Sequence, residues 1–254
     1  MSHIQIEIKD GIGTIRLAGP RGNAMSASLV ADLSQALRTV GGDPSVRAVL
    51  LASAHPRLFS PGLDLISLSE LSRPEMGEFM TEFSNVLTDL FALKKPVVAA
   101  VNGAAVAGGC LLALTADWRV AKKGSLVGLN EIKVGVPLPR WAVMVLRTAT
   151  PAYAHAAVAL LGRNFEGDAA VQAGLVHEVV DAEAFDATVQ ERLAEFAEKD
   201  PFAFGITKGY LRAGAVAAMR DHDAGLLDDF LDGWFSDNTQ ARIQKTVAAL
   251  KSKA

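Results

Sequence analysis

The chain has 254 residues, half of them hydrophobic and 21% charged, which excludes a disordered chain and supplies material for a real core. A net charge of −3 and a pI near 6.0 argue against nucleic acid or an anionic membrane as the main partner. They leave room for a local basic patch that meets one small anionic ligand. The single cysteine, Cys110, excludes an intrachain disulfide framework and a cysteine-rich zinc site.

The opening MSHIQIEIKD has neither the basic-then-apolar layout of a signal peptide nor the Arg/Ser richness of a transit peptide. A cytoplasmic location is expected, or the mitochondrial matrix if a presequence has been removed. Ile4 to Leu17 reads as a hairpin: Ile4, Ile6 and Ile8 alternate with polar residues, Asp10-Gly11 turns, and Ile15 and Leu17 resume the pattern. From Ser26 to Val40, Leu29, Leu33, Ala36, Leu37 and Val40 recur at helical spacing, with Ser26 as N-cap and Gly41-Gly42 as the stop. Val46 to Leu51 predicts a strand, and Pro74 to Phe91 a helix carrying Phe79, Phe83, Val86, Leu87 and Leu90.

The uncharged stretch from Val97 to Ala116 is long enough to span a bilayer, but Asn102, Gly103, Gly108, Gly109 and Thr115 interrupt it. It reads instead as a buried strand (Val97 to Val101), a glycine-rich turn and a buried helix (Gly108 to Leu114), before a strand from Trp118 to Ala121. Strands and helices alternate with short connections, so a largely parallel sheet covered by helices is expected. After Pro139 helical signals dominate, and only Gly174 to Val180 looks extended. Asp200-Pro201 opens a helix; Leu226, Leu227, Phe230, Leu231 and Trp234 line one face of another; Asp237 with Gln240 reads as a capping box for the last. Residues 1–200 form an α/β core, and 201–254 a helical C-terminal region. No clear repeat is visible.

Several chemistries are absent. Gly103 to Gly108 has phosphate-loop spacing, but Gly109 and Cys110 stand where Lys and Ser/Thr are needed. No GxGxxG opens a helix, no GxSxG elbow occurs, and the five histidines show no ligand spacing. Cys110 reads as an inert core thiol. No metal is expected. Three segments stand out: Phe59-Ser-Pro-Gly-Leu-Asp64, Asn102 to Cys110, and Gly128-Leu-Asn-Glu-Ile132. Ligands in α/β folds gather where strands end, and glycines there let backbone N–H groups approach them. A pair of such N–H groups could hold an oxyanion. By spacing alone the same glycines better fit plain turns and close packing, and by composition alone Glu131 better fits an exposed turn.

KKPVVAAVNGAAVAGGCLLALTADWRVA closely resembles the signature of the crotonase superfamily, the enoyl-CoA hydratase/isomerase fold. FSPGLDL resembles its first oxyanion-loop motif, and GDAAVQAGLVHEVV and WFSDNTQARI also match, so the resemblance covers nearly the whole chain. It implies an α/β spiral of ββα units with a helical C-terminal region, assembled as a homotrimer or dimer of trimers. It implies acyl-CoA binding between the Ser60 to Leu65 loop (Ser60, Pro61, Gly62, Leu63, Asp64, Leu65) and the Asn23-Ala24 segment, with Asn130 nearby. The N–H groups of Leu63 and Gly108 would hold the thioester oxygen.

Typical hydratases of this family carry glutamates in GGGCE and PEI. Here the first position is Leu111 and the second Glu131. AGGCLLALTADWRVA with GLNE resembles the mitochondrial-type Δ3,Δ2-enoyl-CoA isomerases of fatty-acid β-oxidation. The resemblance thus implies a single-glutamate proton shuttle through Glu131, with no cofactor beyond the coenzyme A of the substrate. Hydration or another crotonase reaction, and a non-catalytic acyl-CoA-binding scaffold, are the alternatives. Asp64 is expected to point away from substrate, and Glu178 and Asp181 to be solvated. Leu65, Ile66 and Trp141 are candidates for the acyl pocket.

Overall fold

The computed structural model describes residues 2–221 and 224–252. Nine strands follow in chain order: β1 (Ile4–Lys9), β2 (Ile12–Leu17), β3 (Ala48–Ser53), β4 (Leu58–Ser60), β5 (Val97–Val101), β6 (Ala104–Val106), β7 (Trp118–Lys122), β8 (Val127–Gly128) and β9 (Glu178–Val180). The long ones form a six-stranded sheet in the order β1-β2-β3-β5-β7-β9, and the short ones a three-stranded sheet in the order β4-β6-β8. Among the pairs of described strands, only the β1–β2 hairpin is antiparallel. Its turn residues Asp10 and Gly11 both take positive φ, as a tight hairpin turn requires.

Three times the chain lays a strand in the large sheet, then one in the small sheet, then runs into helix: β3–β4, β5–β6 and β7–β8. This is a spiral of ββα units. The repeat is invisible in the sequence because the small-sheet strands are only two or three residues long. β3 and β5 are buried along their whole length, which is why they read as unbroken apolar runs. The stretch from Val97 to Ala116 is divided among β5, β6 and the helix Gly108–Leu114, and among the described residues no helix is long and apolar enough to cross a membrane.

The main core lies between one face of the large sheet and the helices Ala27–Gly42 and Arg73–Ala92; the helix Phe185–Ala197 covers the other face through Phe185, Val189 and Leu193. The helix Pro201–Met219 is tied down through Asp117, whose carboxylate accepts from Lys208 Nζ (2.6 Å) and Arg212 Nη2 (2.8 Å).

Three local expectations need correction. The last helix, Asp237–Lys251, is capped by Ser236, whose Oγ accepts from Thr239 N; Gln240 Nε2 instead donates to the Trp234 carbonyl. The serine, one residue earlier, holds the extended conformation that a cap needs. Glu178 is not solvated: it sits in β9, half-buried, and accepts from Trp118 Nε1 (2.6 Å) and Arg192 Nε (2.8 Å). Of Gly174 to Val180, only the last three residues are strand.

Candidate active site

The ends of the small-sheet strands bring the three unusual segments together. After β4, the Ser60–Leu65 turn is clamped to the loop before the helix Ala27–Gly42. Met25 N donates to Gly62 O (2.8 Å), Asp64 N to Met25 O (3.2 Å), and the buried Ser60 Oγ to Asn23 O (2.8 Å). Asn23 Nδ2 returns a bond to Phe59 O (2.9 Å). Arg21, Gly22 and Asn23 all have positive φ, a strained run that curls Arg21 back onto Asp64.

Asp64 is 2% exposed and accepts from Arg21 and from Ser67 Oγ (2.8 Å). Burial by itself would raise its pKa, but the hydrogen bonds from Arg21 and Ser67 and the guanidinium charge together lower it. The carboxylate braces the loop and is occupied.

The second turn ends in Ala107, at φ 51°, and Gly108 opens the helix Gly108–Leu114. The two turns touch. A Cβ on Gly62 (φ 90°) would stand 2.8 Å from Gly108 N, and one on Gly109 would overlap the Ser60 carbonyl oxygen. Glycine is required at both positions for that approach. The N–H groups of Leu63 and Gly108 have no hydrogen-bond partner among the described residues. Both residues line the same narrow pocket, with a volume of about 20 Å³.

Glu131 enters this pocket from the third segment, as the first residue of a short 3₁₀ turn, Glu131–Val134, after β8. Leu111, Phe83, Trp141 and Phe230 surround it in the pocket wall. Phe83 and Trp141 meet edge to face, with centroids 5.6 Å apart. Glu131 as a whole is half-buried, but Oε2 is buried and has no hydrogen-bond partner. Burial pushes the carboxyl pKa up to about 7. Beneath it, the buried Cys110 thiol is pushed up by burial first and by the Glu131 charge second, in keeping with an inert core residue.

Of the residues singled out in the sequence, Leu63, Gly108, Leu111, Glu131 and Trp141 line the pocket directly. Ala24 is buried in the loop clamped to Gly62, and the Ser60 and Asp64 side chains are spent on that clamp. Pro61, Leu65, Ile66 and Asn130 are half-buried around these turns. Arg21 escaped the sequence reading because its partner lies 43 residues away. Met80, Phe83 and Phe230 carried only a core signal, as apolar positions on helix faces. Among the described residues, no three His, Cys, Asp or Glu side chains gather where a metal could be held.

A family model for enoyl-CoA hydratase/isomerase matches residues 7–232. The chain belongs to the enoyl-CoA hydratase/isomerase family. Among members of this family it is 29% identical over 248 residues to human mitochondrial enoyl-CoA delta isomerase 1, covering 96% of this chain and 81% of that protein. The crystal structure of human mitochondrial Δ3,Δ2-enoyl-CoA isomerase aligns with a TM-score of 0.94 at 27% identity, over 99% of both chains. Carnitinyl-CoA dehydratase of Citrobacter koseri is 30% identical over 199 residues, 78% of this chain and 76% of that protein. The crotonase-like α/β spiral expected from the motifs is therefore the fold. Enoyl-CoA hydratase/isomerase relatives of different reaction types lie at similar identity, so the reaction must be argued from the site.

Proposed function

We propose that this chain is a Δ3,Δ2-enoyl-CoA isomerase acting on acyl-CoA thioesters. The observation that carries the reading is the single carboxylate that the described residues place in the pocket: Glu131 faces an apolar wall that includes Leu111, where a hydratase-like site would hold a second glutamate. The other strand-end carboxylate, Asp64, is bound to Arg21. Water addition calls for one group to activate water and another to deliver a proton; double-bond migration needs one base that returns what it removes.

In this reading the acyl-CoA lies between the Ser60–Leu65 turn and the Asn23-Ala24 segment. The thioester oxygen accepts from the Leu63 and Gly108 N–H groups, which lack internal partners. The Glu131 carboxylate takes a proton from C2. The electron pair delocalises over C2–C4 and the thioester carbonyl as a dienolate, stabilised by the two N–H donors. Glu131, now a carboxylic acid, gives the proton to C4, leaving the double bond between C2 and C3 and the carboxylate restored. The thioester and the N–H pair carry the developing charge, so no metal or redox cofactor takes part.

A second copy of the chain is the natural cover for the helix Pro201–Met219, where Phe202, Tyr210 and Leu211 are 76%, 80% and 77% exposed and Ile206 continues the stripe. The stripe supports self-association, and the family resemblance supplies its form, a homotrimer or dimer of trimers.

The reading has a pH signature. A base must be ionised, and burial puts the Glu131 carboxyl pKa near 7. The kcat/KM for 3-enoyl-CoA is therefore expected to rise through about pH 7 and level off above it. A pH–rate profile flat between pH 5 and about 8 would contradict the burial-raised pKa of Glu131.

A further inference from the structure

A larger pocket of about 200 Å³ adjoins the Glu131 pocket, between the helices Arg73–Ala92 and Arg140–Ala149 and the C-terminal helices. The two pockets share Met80, Pro139 and Trp141. Its wall is mainly apolar, with Met219, Leu226 and Leu227 opposite Met80. One buried group breaks that character. Ser84 is 2% exposed, and its Oγ has no hydrogen-bond partner.

A serine or threonine inside a helix can return its hydroxyl to the carbonyl four residues earlier. Two neighbours on the same helix do so: Thr81 Oγ1 donates to Gly77 O (2.9 Å) and Thr88 Oγ1 to Ser84 O (2.7 Å). Ser84 does not, although a buried unpaired hydroxyl costs more than an alanine methyl group in the same place. Three other polar side chains of the wall, Thr81, Arg140 and Asp221, are committed. Thr81 is bonded to Gly77, and Arg140 pairs with Asp221 at the rim (2.8 Å). Among the described residues of the wall, the one buried hydroxyl left without a partner is that of Ser84.

We propose that this pocket takes the distal part of the acyl chain and that Ser84 selects chains bearing a neutral oxygen, hydroxyl or keto, on that part. The inference rests on the isomerase reading for what lies at the other end of the chain. Met80 touches both pockets, and Ser84 is four residues further along the same helix, about 6 Å along its axis. The oxygen recognised is thus several carbons beyond the reacting C2–C4 unit, and is not the 3-hydroxyl that hydration would create. A distal carboxylate is disfavoured, because Arg140 is already held by Asp221 and the interior wall is apolar.

The test is calorimetric binding of saturated acyl-CoA thioesters of one medium chain length to the full chain. One thioester is plain; the others carry a single hydroxyl at successive carbons of the distal half. One hydroxylated member should bind about three- to tenfold more tightly than the plain chain, the worth of one neutral hydrogen bond. That preference should vanish in Ser84→Ala, a near-isosteric change whose folding is checked by thermal melting. Equal affinities across the set, or a preference that survives Ser84→Ala, would overturn the proposal. Turnover of a short, unsubstituted 3-enoyl-CoA, too short to reach Ser84, reports separately on the isomerase reading. Failure there would strike the reaction and leave the binding comparison to decide the role of Ser84.

Discussion

Glu131→Gln is expected to lower kcat for 3-enoyl-CoA isomerisation by about 10²–10⁴-fold, the usual worth of a positioned acid/base. Glutamine keeps the volume of the side chain and its place in the wall with Leu111 and Phe83, but cannot accept a proton from C2. The N–H pair of Leu63 and Gly108 and the loop before the helix Ala27–Gly42 are untouched, so affinity for the thioester should be largely kept. The variant should also fold. An amide removes a carboxylate whose Oε2 is buried without a partner, so the melting temperature at pH 8 should not fall below that of the wild type. A folded Gln variant that isomerises at nearly the wild-type rate would remove Glu131 from the mechanism.

The second large effect is expected at Gly109, which touches neither substrate nor Glu131 in this reading. An alanine Cβ there would overlap the Ser60 carbonyl oxygen and stand 2.8 Å from the Ser60 Cβ. Ser60 cannot yield easily, since it is buried, ends β4, and is bonded through Oγ to Asn23 O. The helix start at Gly108 must therefore shift away from the Ser60–Leu65 turn, and the two N–H donors separate. A misplacement of about 1 Å costs about 10²-fold, and effective loss of one oxyanion donor costs about 10²–10³. Gly109→Ala should accordingly lose at least about 10²-fold in kcat/KM while the pH profile keeps its shape. Gly77→Ala is the control. Its added Cβ would find its nearest neighbour, Leu231 Cδ1, at an ordinary 3.6 Å. It should fold and turn over like the wild type. Wild-type rates in Gly109→Ala would show that the close approach of the two turns does not set the donor pair.

What the sequence reveals and what it hides divide along physical lines. β3 and β5 are legible because strands buried on both faces must be apolar throughout, and the β1–β2 hairpin because alternation and Asp10-Gly11 are local signals. β4, β6 and β8 are not legible. They exist through pairings such as Leu58 with Ala104 and Ala105 with Val127, which only the spiral brings into register. Ser236 escaped notice as a cap because Asp237 beside it offered an equally good side chain. Glu178 passed as solvated because Trp118 and Arg192 reach it from other elements.

The site shows the same split. Leu63, Gly108 and Glu131 stand in motifs, but the burial of Glu131 does not. Ile132 and Lys133, which follow it, are exposed, and the pocket around Glu131 is closed by Phe83, Trp141 and Phe230 from distant helices. The bracing of Asp64 by Arg21 is equally hidden, since nothing local marks Arg21 as its partner. Ser84 looks like any polar residue on an amphipathic helix until its neighbours are seen to be apolar and its hydroxyl unpaired.

The central claim is one carboxylate, hence one reaction, and its most direct test is product analysis with 3-enoyl-CoA and 2-enoyl-CoA supplied in parallel to the purified wild-type chain. Isomerisation should dominate: 3-enoyl-CoA is converted to 2-enoyl-CoA, and neither substrate yields 3-hydroxyacyl-CoA at a comparable rate. Near-equal turnover for hydration and isomerisation would contradict it, because water would then be activated in a pocket that offers Leu111 where the second carboxylate would have to stand.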